Sequence, residues 1–271
     1  MEKIHPDLKD SVAETLFIPL AMRALDVRQK RPVLGDAYSA RLMEKIDYPF
    51  GKFISGSLMS RVGTNVRAKY FDQCAKDFID THARPVVVAL GCGLDTRRER
   101  LRNSGKAMFY EVDLPEVIQL RTRLVPEAEN SRCIARSFLD QGWVRDVREA
   151  HPGGDFLIII EGVLMYFEEV IVRDLLRLVA DSFPGAEICF DVMSVWSSRQ
   201  AGRHDTVRKM RAGFRWGIDN DRELEAWHPG VRVVSDESIM RLMGEYHWFP
   251  RLLRRMPVFR DCSRMLRVRV A

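Results

Sequence analysis

The stretch that decides the fold runs Pro85-Val86-Val87-Val88-Ala89-Leu90-Gly91-Cys92-Gly93-Leu94-Asp95-Thr96-Arg97. Its first half, rich in valine, is typical of a buried strand. Gly91 and Gly93 follow directly, and glycine permits both positive φ and close approach of a ligand to the backbone. A second apolar stretch, residues 108–112, ends in Asp113. A glycine turn after one strand and an acid after the next is an arrangement with which α/β proteins bind a nucleoside.

The bulk composition is that of an ordinary globular protein. The 271 residues are 46% hydrophobic and 30% charged, and they could form one large or two small domains. The net charge of +5 is too mild to indicate nucleic-acid binding. No apolar run approaches the ~20 residues of a membrane span, the N-terminus does not look like a signal peptide, and the five cysteines form no C-x-x-C pair. We therefore expect a cytoplasmic protein without a metal, a nucleic-acid partner or a membrane partner.

The order of elements along the chain predicts an α/β fold. Helical patterns cover residues 11–27, 35–48 and 64–81 before the first strand. From residue 86 the pattern alternates between strands and helices. We predict strands at 86–90, 107–112, 132–136, 155–160 and 186–192, and helices near 97–103, 115–124, 141–150 and 168–182. This alternation is typical of a mostly parallel sheet with helices on both faces.

The C-terminal third differs from this pattern. Residues 193–230 are polar and carry several aromatic side chains, which we interpret as a helical lid over the substrate. We expect a helix at 236–244 and closing strands at 246–253 and 262–270, the last antiparallel because apolar residues alternate there with arginines. We predict one domain, with an N-terminal helical cap (1–84), a cofactor-binding core (85–192), a lid (193–235) and a closing helix and strands (236–271).

The turn itself discriminates between cofactors. A dinucleotide site favours a third glycine at position 96, where the helix begins under the pyrophosphate. This sequence has Thr96 there, and Asp95 beside it is a poor neighbour for a diphosphate. The combination favours a nucleoside cofactor without phosphates, such as S-adenosylmethionine, over NAD.

Longer motifs resemble the leucine carboxyl methyltransferase family, which includes bacterial polyketide carboxyl O-methyltransferases. The resemblance spans nearly the whole chain and implies a class I methyltransferase fold, which is Rossmann-like. Its motifs are Phe17–Ala24, Gly63–Arg67 with Phe71-Asp72, Val87–Arg97, Tyr110–Pro115, Glu161–Tyr166, Phe214–Asp219 and Trp227–Gly230. Two positions depart from the usual pattern, Cys92 and Ala68, and both are small enough to be tolerated.

The resemblance implies a role for each matching residue. Arg67 would bind the methionyl carboxylate, with help from Arg23, while Glu161 would bind the amino group. Asp113 would hold the ribose, and Ser137 and Phe138 would lie along the adenine. The full set expected to bind the cofactor is Arg23, Arg67, Gly91, Cys92, Gly93, Asp113, Leu114, Ser137, Phe138, Glu161 and Gly162.

The acceptor side is less determined. Tyr166 and His204 are the candidate catalytic residues, although Tyr166 could equally be a packed aromatic and His204 fits a surface or packing residue better. Candidate substrate contacts are Trp196, Arg199, Phe214 and Trp216. Aromatic faces beside guanidinium groups suit a planar anionic acid, but the same aromatic residues could simply complete the core. An acceptor carboxylate is ionised at neutral pH and needs no general base, whereas a phenol or alcohol would benefit from one.

The sequence therefore predicts an S-adenosylmethionine-dependent O-methyltransferase that acts on a carboxylate of a small molecule. Several alternatives stay open: methylation of a hydroxyl or phenol, methylation of a protein carboxyl group, and a cofactor-binding protein without catalysis. An NAD-dependent oxidoreductase and an RNA methyltransferase fit less well. The oligomeric state, monomer or homodimer, is not determined by the sequence.

Overall fold

The chain folds around a mixed seven-stranded sheet. We describe residues 3–54, 58–200 and 213–271 of a computed structural model. The strands are β1 (Pro85–Leu90), β2 (Met108–Asp113), β3 (Ser131–Ala135), β4 (Asp155–Ile160), β5 (Glu187–Met193), β6 (Val231–Ser238) and β7 (Ser263–Val270). Their order is β3-β2-β1-β4-β5-β7-β6. The first five strands are parallel, and β7 is antiparallel to both of its neighbours, β5 and β6. The predicted α/β fold is confirmed, including the antiparallel C-terminal strand.

Helices cover both faces of this sheet and one end of it. They are α1 (Phe17–Val27), α2 (Ala37–Lys45), α3 (Gly51–Ile54), α4 (Leu58–Thr81), α5 (Arg97–Arg100), α6 (Pro115–Leu124), α7 (Gly142–Ala150), α8 (Glu169–Ser182), α9 (Val195–Ser198), α10 (Ile239–Tyr246), α11 (Trp248–Leu253) and α12 (Pro257–Arg260). Within the described ranges, no helix is both long and apolar enough to cross a membrane.

Strands β1 and β4 form the centre because their side chains are apolar on both faces. On one face, Val88 and Ile158 join the main core against α7 and α8. On the other face, Val87 and Leu157 pack against α4, where Phe78 is buried. Burial on both faces is what a parallel sheet covered by helices requires. It fixes the register of β1 on β4, and so brings the ends of these two strands to one edge of the sheet.

The predicted strand at 246–253 is wrong, because these residues form the end of α10 and all of α11. Pro250 lies inside this segment and cannot donate to a sheet, while the His247 side chain caps α11 by accepting from the Phe249 amide. Besides β5, strand β7 pairs with β6. Strand β6 begins at Val231, inside the segment predicted to be the lid. Helix α4 also begins six residues earlier than predicted, and α5 ends at Arg100.

Asp36 joins the N-terminal helices to the turn after β1. It caps α2 by accepting from the Ser39 amide and hydroxyl, and it also accepts from the Thr96 hydroxyl at 2.5 Å. Arg100 donates to the same carboxylate at 3.1 Å. Burial would raise the pKa of Asp36, but Arg23 and Arg100 outweigh burial, and the pKa is lowered. A carboxylate with a lowered pKa stabilises the fold above its unfolded pKa, and this contribution is lost as the pH falls.

We expect Asp36→Ala to lower the free energy of unfolding at pH 7 by about 3–5 kcal/mol, because it leaves buried guanidinium and hydroxyl groups without their shared acceptor. Urea denaturation measures the change. Asp47→Ala is the matched control, since the Asp47 side chain is 68% exposed. Equal effects of the two substitutions would contradict a connecting role for Asp36.

Candidate active site

A cavity of about 820 Å³ lies at the carboxyl ends of β1, β2, β4 and β5. Its volume is within the usual range for sites of small molecules and cofactors, ~300–1,000 Å³. The structure brings the whole expected cofactor-binding set to its wall: Arg23, Arg67, Gly91, Cys92, Gly93, Asp113, Leu114, Ser137, Phe138, Glu161 and Gly162. Their roles toward a cofactor stay predictions, but their convergence from six separate parts of the chain defines one site.

The turn after β1 requires glycine for two reasons. Gly91 has φ of +67°, which side chains other than glycine rarely adopt. A Cβ atom at this position would also lie 2.5 Å from Cγ2 of Val163. The Gly91 amide donates to the Val112 carbonyl at 2.9 Å, which holds the turn against the end of β2. The turn therefore presents bare backbone to the cavity.

Asp113 lies across this turn, at the end of β2. Its Oδ2 atom accepts from the Gly93 amide at 2.7 Å, and its Oδ1 atom accepts from the Leu114 amide at 2.8 Å. Burial raises the pKa of Asp113, and these two amides only partly offset the effect. Each carboxylate oxygen has two lone pairs, so the fixed carboxylate can still accept from a vicinal diol.

Arg67 lies between two carboxylates that come from neighbouring strands. Its Nε atom donates to Glu161 at 3.2 Å, and its Nη1 atom donates to Asp191 at 3.0 Å. Burial would lower the pKa of Arg67, but Asp191 and Glu161 outweigh burial and raise it. The Asp191 side chain is only 2% exposed. Arg67 is thus a fixed cation, and Glu161 is a fixed anion beside it at the cavity wall.

Gly162 allows this pair to approach the backbone. It has φ of +72°, and a Cβ atom there would lie 2.8 Å from Nη2 of Arg67. The Gly162 amide donates to Asp191 at 2.6 Å. Any larger residue at position 162 would therefore push the guanidinium away from its two carboxylates.

Asp95, which the sequence analysis treated as a poor neighbour for a diphosphate, is surrounded by arginines. It lies 2.8 Å from Arg97 and 3.0 Å from Arg23. Burial would raise its pKa, but Arg97, Arg100 and Arg23 together lower it. Its charge is compensated within the protein, so the argument that Asp95 repels a diphosphate loses its force, and the choice of cofactor rests on other observations.

Sequence reasoning did not select two residues of this site, Asp191 and Arg97. Arg97 donates to Glu161 at 2.7 Å and thereby connects the Glu161–Arg67 pair to Asp95. A signal for Asp191 was present, since it is the only acid among the apolar residues 188–193 at the end of β5. The same signal selected Glu161 at the end of β4.

Tyr166 and Phe214 both line the cavity, as predicted. Their rings pack 5.5 Å apart. The Tyr166 hydroxyl makes a hydrogen bond with the Thr15 side chain, and burial raises the Tyr166 pKa. Tyr166 is therefore a neutral hydroxyl at neutral pH. The other candidate catalytic residue, His204, lies outside the described residues.

Three predicted substrate contacts do not reach the cavity wall. Trp216 is buried in the main core, 6.1 Å from the ring of Trp227, because it completes the apolar layer over β5. Trp196 is 44% exposed and packs its edge against Phe259, and Arg199 is exposed. Of the four predicted substrate contacts, only Phe214 lines the cavity among the described residues.

Five methionine side chains of the described chain line the cavity. They come from the N-terminal part of α4, from the segment after β4, from the end of β5 and from α10. The five are Met59, Met165, Met193, Met240 and Met243. Methionine is flexible and polarisable, so it adapts to apolar ligands of varied shape. Phe259 and Cys262 complete this wall.

Comparison with known proteins agrees with this geometry. Residues 17–180 match the model of the leucine carboxyl methyltransferase family. The chain is 35% identical to the tetracenomycin polyketide synthesis O-methyltransferase TcmP of Streptomyces glaucescens, over 94% of this chain and 96% of TcmP. It is 30% identical to the S-adenosyl-L-methionine-dependent methyltransferase dpfgK of Gibberella zeae, over 90% of this chain and 88% of dpfgK.

Solved structures show the same fold. A putative methyltransferase from Thermobifida fusca superimposes with a TM-score of 0.56, covering 92% of this chain and 94% of that one, at 15% sequence identity. At this identity the similarity concerns the fold alone. It confirms that the seven-stranded sheet and its helices have the predicted class I methyltransferase architecture.

Asp113→Asn should weaken S-adenosylmethionine binding by about 10- to 100-fold, because an amide replaces an ionised acceptor of two hydrogen bonds. Isothermal titration calorimetry measures the dissociation constant. Asp140→Asn is the control, since Asp140 is an exposed carboxylate whose side chain does not line the cavity. Unchanged affinity in Asp113→Asn would refute its contact with the ribose.

Cofactor affinity should also fall with pH in a way that depends on Asp113. Because its pKa is raised, protonation competes with ribose binding at a higher pH than for an ordinary aspartate. Affinity is full when Asp113 is ionised and is lost as the pH falls through its pKa. Dissociation constants measured as the pH is lowered stepwise from pH 8 should show this loss in the native protein. If the Asp113→Asn profile has the same step, another group is responsible.

Proposed function

Because this chain belongs to the leucine carboxyl methyltransferase family and is an S-adenosylmethionine-dependent methyltransferase, we propose that it methylates the carboxylate of a small, largely apolar acid. The observation that carries the choice of acceptor is the cavity wall, where five methionines lie beside the aromatic rings of Tyr166, Phe214 and Phe259. Such a wall favours an apolar molecular body over a polar or highly charged one.

The residues of the site fit the cofactor. Asp113 keeps free lone pairs beside a bare glycine turn, which suits a ribose. Arg67 and Glu161 offer a cation and an anion side by side, which suits the zwitterionic methionyl end. Arg23 also lines the cavity, where its guanidinium donates to Asp95 and to the Leu94 carbonyl. When bound, the cofactor supplies a methyl group on a sulfonium, an excellent leaving group.

The protein then has to align the acceptor and exclude water. The cavity wall formed by described residues contains no histidine. Its carboxylates are held by arginines or by backbone amides, as for Glu161 and Asp113. An ionised acceptor needs no base, so a carboxylate is the acceptor that this wall supports best. Tyr166, neutral because its pKa is raised, would donate to one acceptor oxygen and orient the other toward the methyl group.

A buried charge network also favours a cationic ligand. It consists of five carboxylates and four guanidiniums in continuous contact, and so carries one excess negative charge. The members are Asp36, Asp72, Asp95, Glu161, Asp191, Arg23, Arg67, Arg97 and Arg100. A low-dielectric surrounding strengthens the interaction of this excess charge with a sulfonium. After methyl transfer the sulfur is neutral, so the same field holds the product less firmly.

The relatives support an acceptor from secondary metabolism. TcmP is named for tetracenomycin polyketide synthesis. The cavity described here, apolar and about 820 Å³ in volume, is large enough for the cofactor beside a compact organic acid. We therefore place the acceptor among small secondary-metabolite acids with an apolar ring system or chain.

Incubation with methyl-labelled S-adenosylmethionine and a panel of apolar aromatic and aliphatic acids should yield labelled methyl esters. Mild alkali releases methanol from an ester but not from an ether, so alkaline lability of the label identifies the acceptor group. The control panel replaces each carboxylic acid by the corresponding phenol or alcohol. Label found only in alkali-stable products would replace our proposal by hydroxyl methylation.

Glu161→Gln should weaken binding of S-adenosylmethionine about tenfold more than binding of S-adenosylhomocysteine, because only the first carries the sulfonium charge. Calorimetric titration with both ligands gives the ratio. Glu168→Gln, an exposed neighbour with 62% of its side chain accessible, is the control. Equal weakening for both ligands would show that Glu161 contacts only the amino group that they share.

A further inference from the structure

The insertion between β6 and β7 carries an unusual exposed surface, formed by residues 246–260. Eleven large hydrophobic residues are exposed in the described chain, and six of them lie in this segment: Tyr246, Trp248, Phe249, Leu252, Met256 and Val258. Trp248 is the most exposed of all eleven, at 68%. Scattered single residues of this kind need no explanation, but a concentration of them marks an interaction site.

The charge of the same segment is of one sign. It contains Arg251, Arg254, Arg255 and Arg260 and no aspartate or glutamate. Arg260 pairs with Asp261, and Arg251 donates to the Gly244 carbonyl. Within the described ranges, Arg254 and Arg255 have no ion-pair partner. Exposed tryptophan, phenylalanine and leucine beside unpaired arginines are typical of segments that lie in the interface of an anionic membrane.

We propose that the 246–260 surface binds anionic lipid surfaces and docks the enzyme there peripherally. Such binding requires no membrane-spanning helix, and so is compatible with the absence of one in the described chain. Peripheral binding differs from our expectation of no membrane partner, because that expectation considered only segments long enough to span a membrane. The surface as a whole supplies both of the signals that peripheral attachment needs, an apolar area and several cations.

A second copy of the chain fits this surface poorly. A twofold contact through it would bring Arg254 and Arg255 of both copies together, and the segment itself contains no acid to pair with them. A preformed protein pocket is also a poor match, because the apolar side chains protrude: Leu252, Met256 and Val258 are each at least 50% exposed. A deformable interface accepts protruding side chains, while arginine heads reach the lipid phosphates.

The position of this surface gives it a use, which rests on the proposed function. Helix α12, which contains the exposed Val258 and directly follows the exposed Met256, places Phe259 in the cavity wall. Phe259 also packs against Trp196 at 5.8 Å. The lipid-binding surface and the acceptor wall are thus parts of one short segment. An apolar acid that partitions into lipid would meet the enzyme beside the cavity that receives it.

Vesicle flotation tests the binding directly and does not depend on activity. The full-length protein should float with vesicles of phosphatidylglycerol and phosphatidylcholine in equal amounts, but not with phosphatidylcholine alone, and added salt should release it. The double variant Arg254→Gln with Arg255→Gln should bind about thirtyfold more weakly, given roughly 1 kcal/mol per arginine near an anionic surface. Trp248→Ala should also reduce binding strongly.

Val170→Ala is the matched apolar control, because Val170 is 56% exposed on α8, away from this surface. Arg145→Gln is the charge control, with 66% of its side chain exposed. Both should float like the native protein, and all variants should retain native cofactor affinity. Absence of flotation with anionic vesicles overturns the proposal. So does a concentration-dependent dimer in sedimentation that Trp248→Ala abolishes, because the surface would then be a contact between copies.

Discussion

The site depends on one guanidinium, that of Arg67, held between Glu161 and Asp191. These carboxylates follow apolar residues at the ends of β4 and β5, where an isolated charge would be costly to bury. Two carboxylates alone would repel each other, and one arginine between them removes the repulsion and fixes both. The close contact of Arg67 with Gly162 shows how little space the arrangement leaves.

The same interaction extends from the core to the N-terminal helices. Glu161 contacts Arg97, which contacts Asp95 and Asp72, and Asp95 contacts Arg23 on α1. Buried ion pairs of this kind often contribute little net stability, because desolvation offsets the attraction. Here the ion pairs position the N-terminal helices relative to the sheet. They thereby shape the part of the cavity that the glycine turn lines. If the methionyl end of the cofactor binds there as proposed, its carboxylate would take the place of an internal carboxylate beside Arg67, and its ammonium group the place of an internal guanidinium beside Glu161.

The sequence allowed prediction of those parts of the fold and site that depend on local pattern. Strand β1, the glycine turn and Asp113 follow from apolar periodicity and from residues with special backbone freedom. The pairing of β7 with β6 did not follow, because the β6 segment begins inside an irregular aromatic stretch. The apolar residues of α11 have the composition of a strand, but Pro250 among them cannot donate a hydrogen bond to a sheet. Trp216 also resembled a substrate contact, since composition does not reveal which aromatic residues complete a core.

The acceptor wall could not be predicted because its residues are adjacent only after folding. Met59 and Met243 lie 184 positions apart and share one surface only because α10 packs against α4. That surface explains how a single cavity can combine strict and permissive recognition. At one end, fixed charges and backbone groups demand a particular cofactor. At the other, unbranched methionine side chains can change rotamer at little cost. The acceptor that we propose, an apolar acid with an ionised carboxylate, fits this methionine-lined part of the cavity.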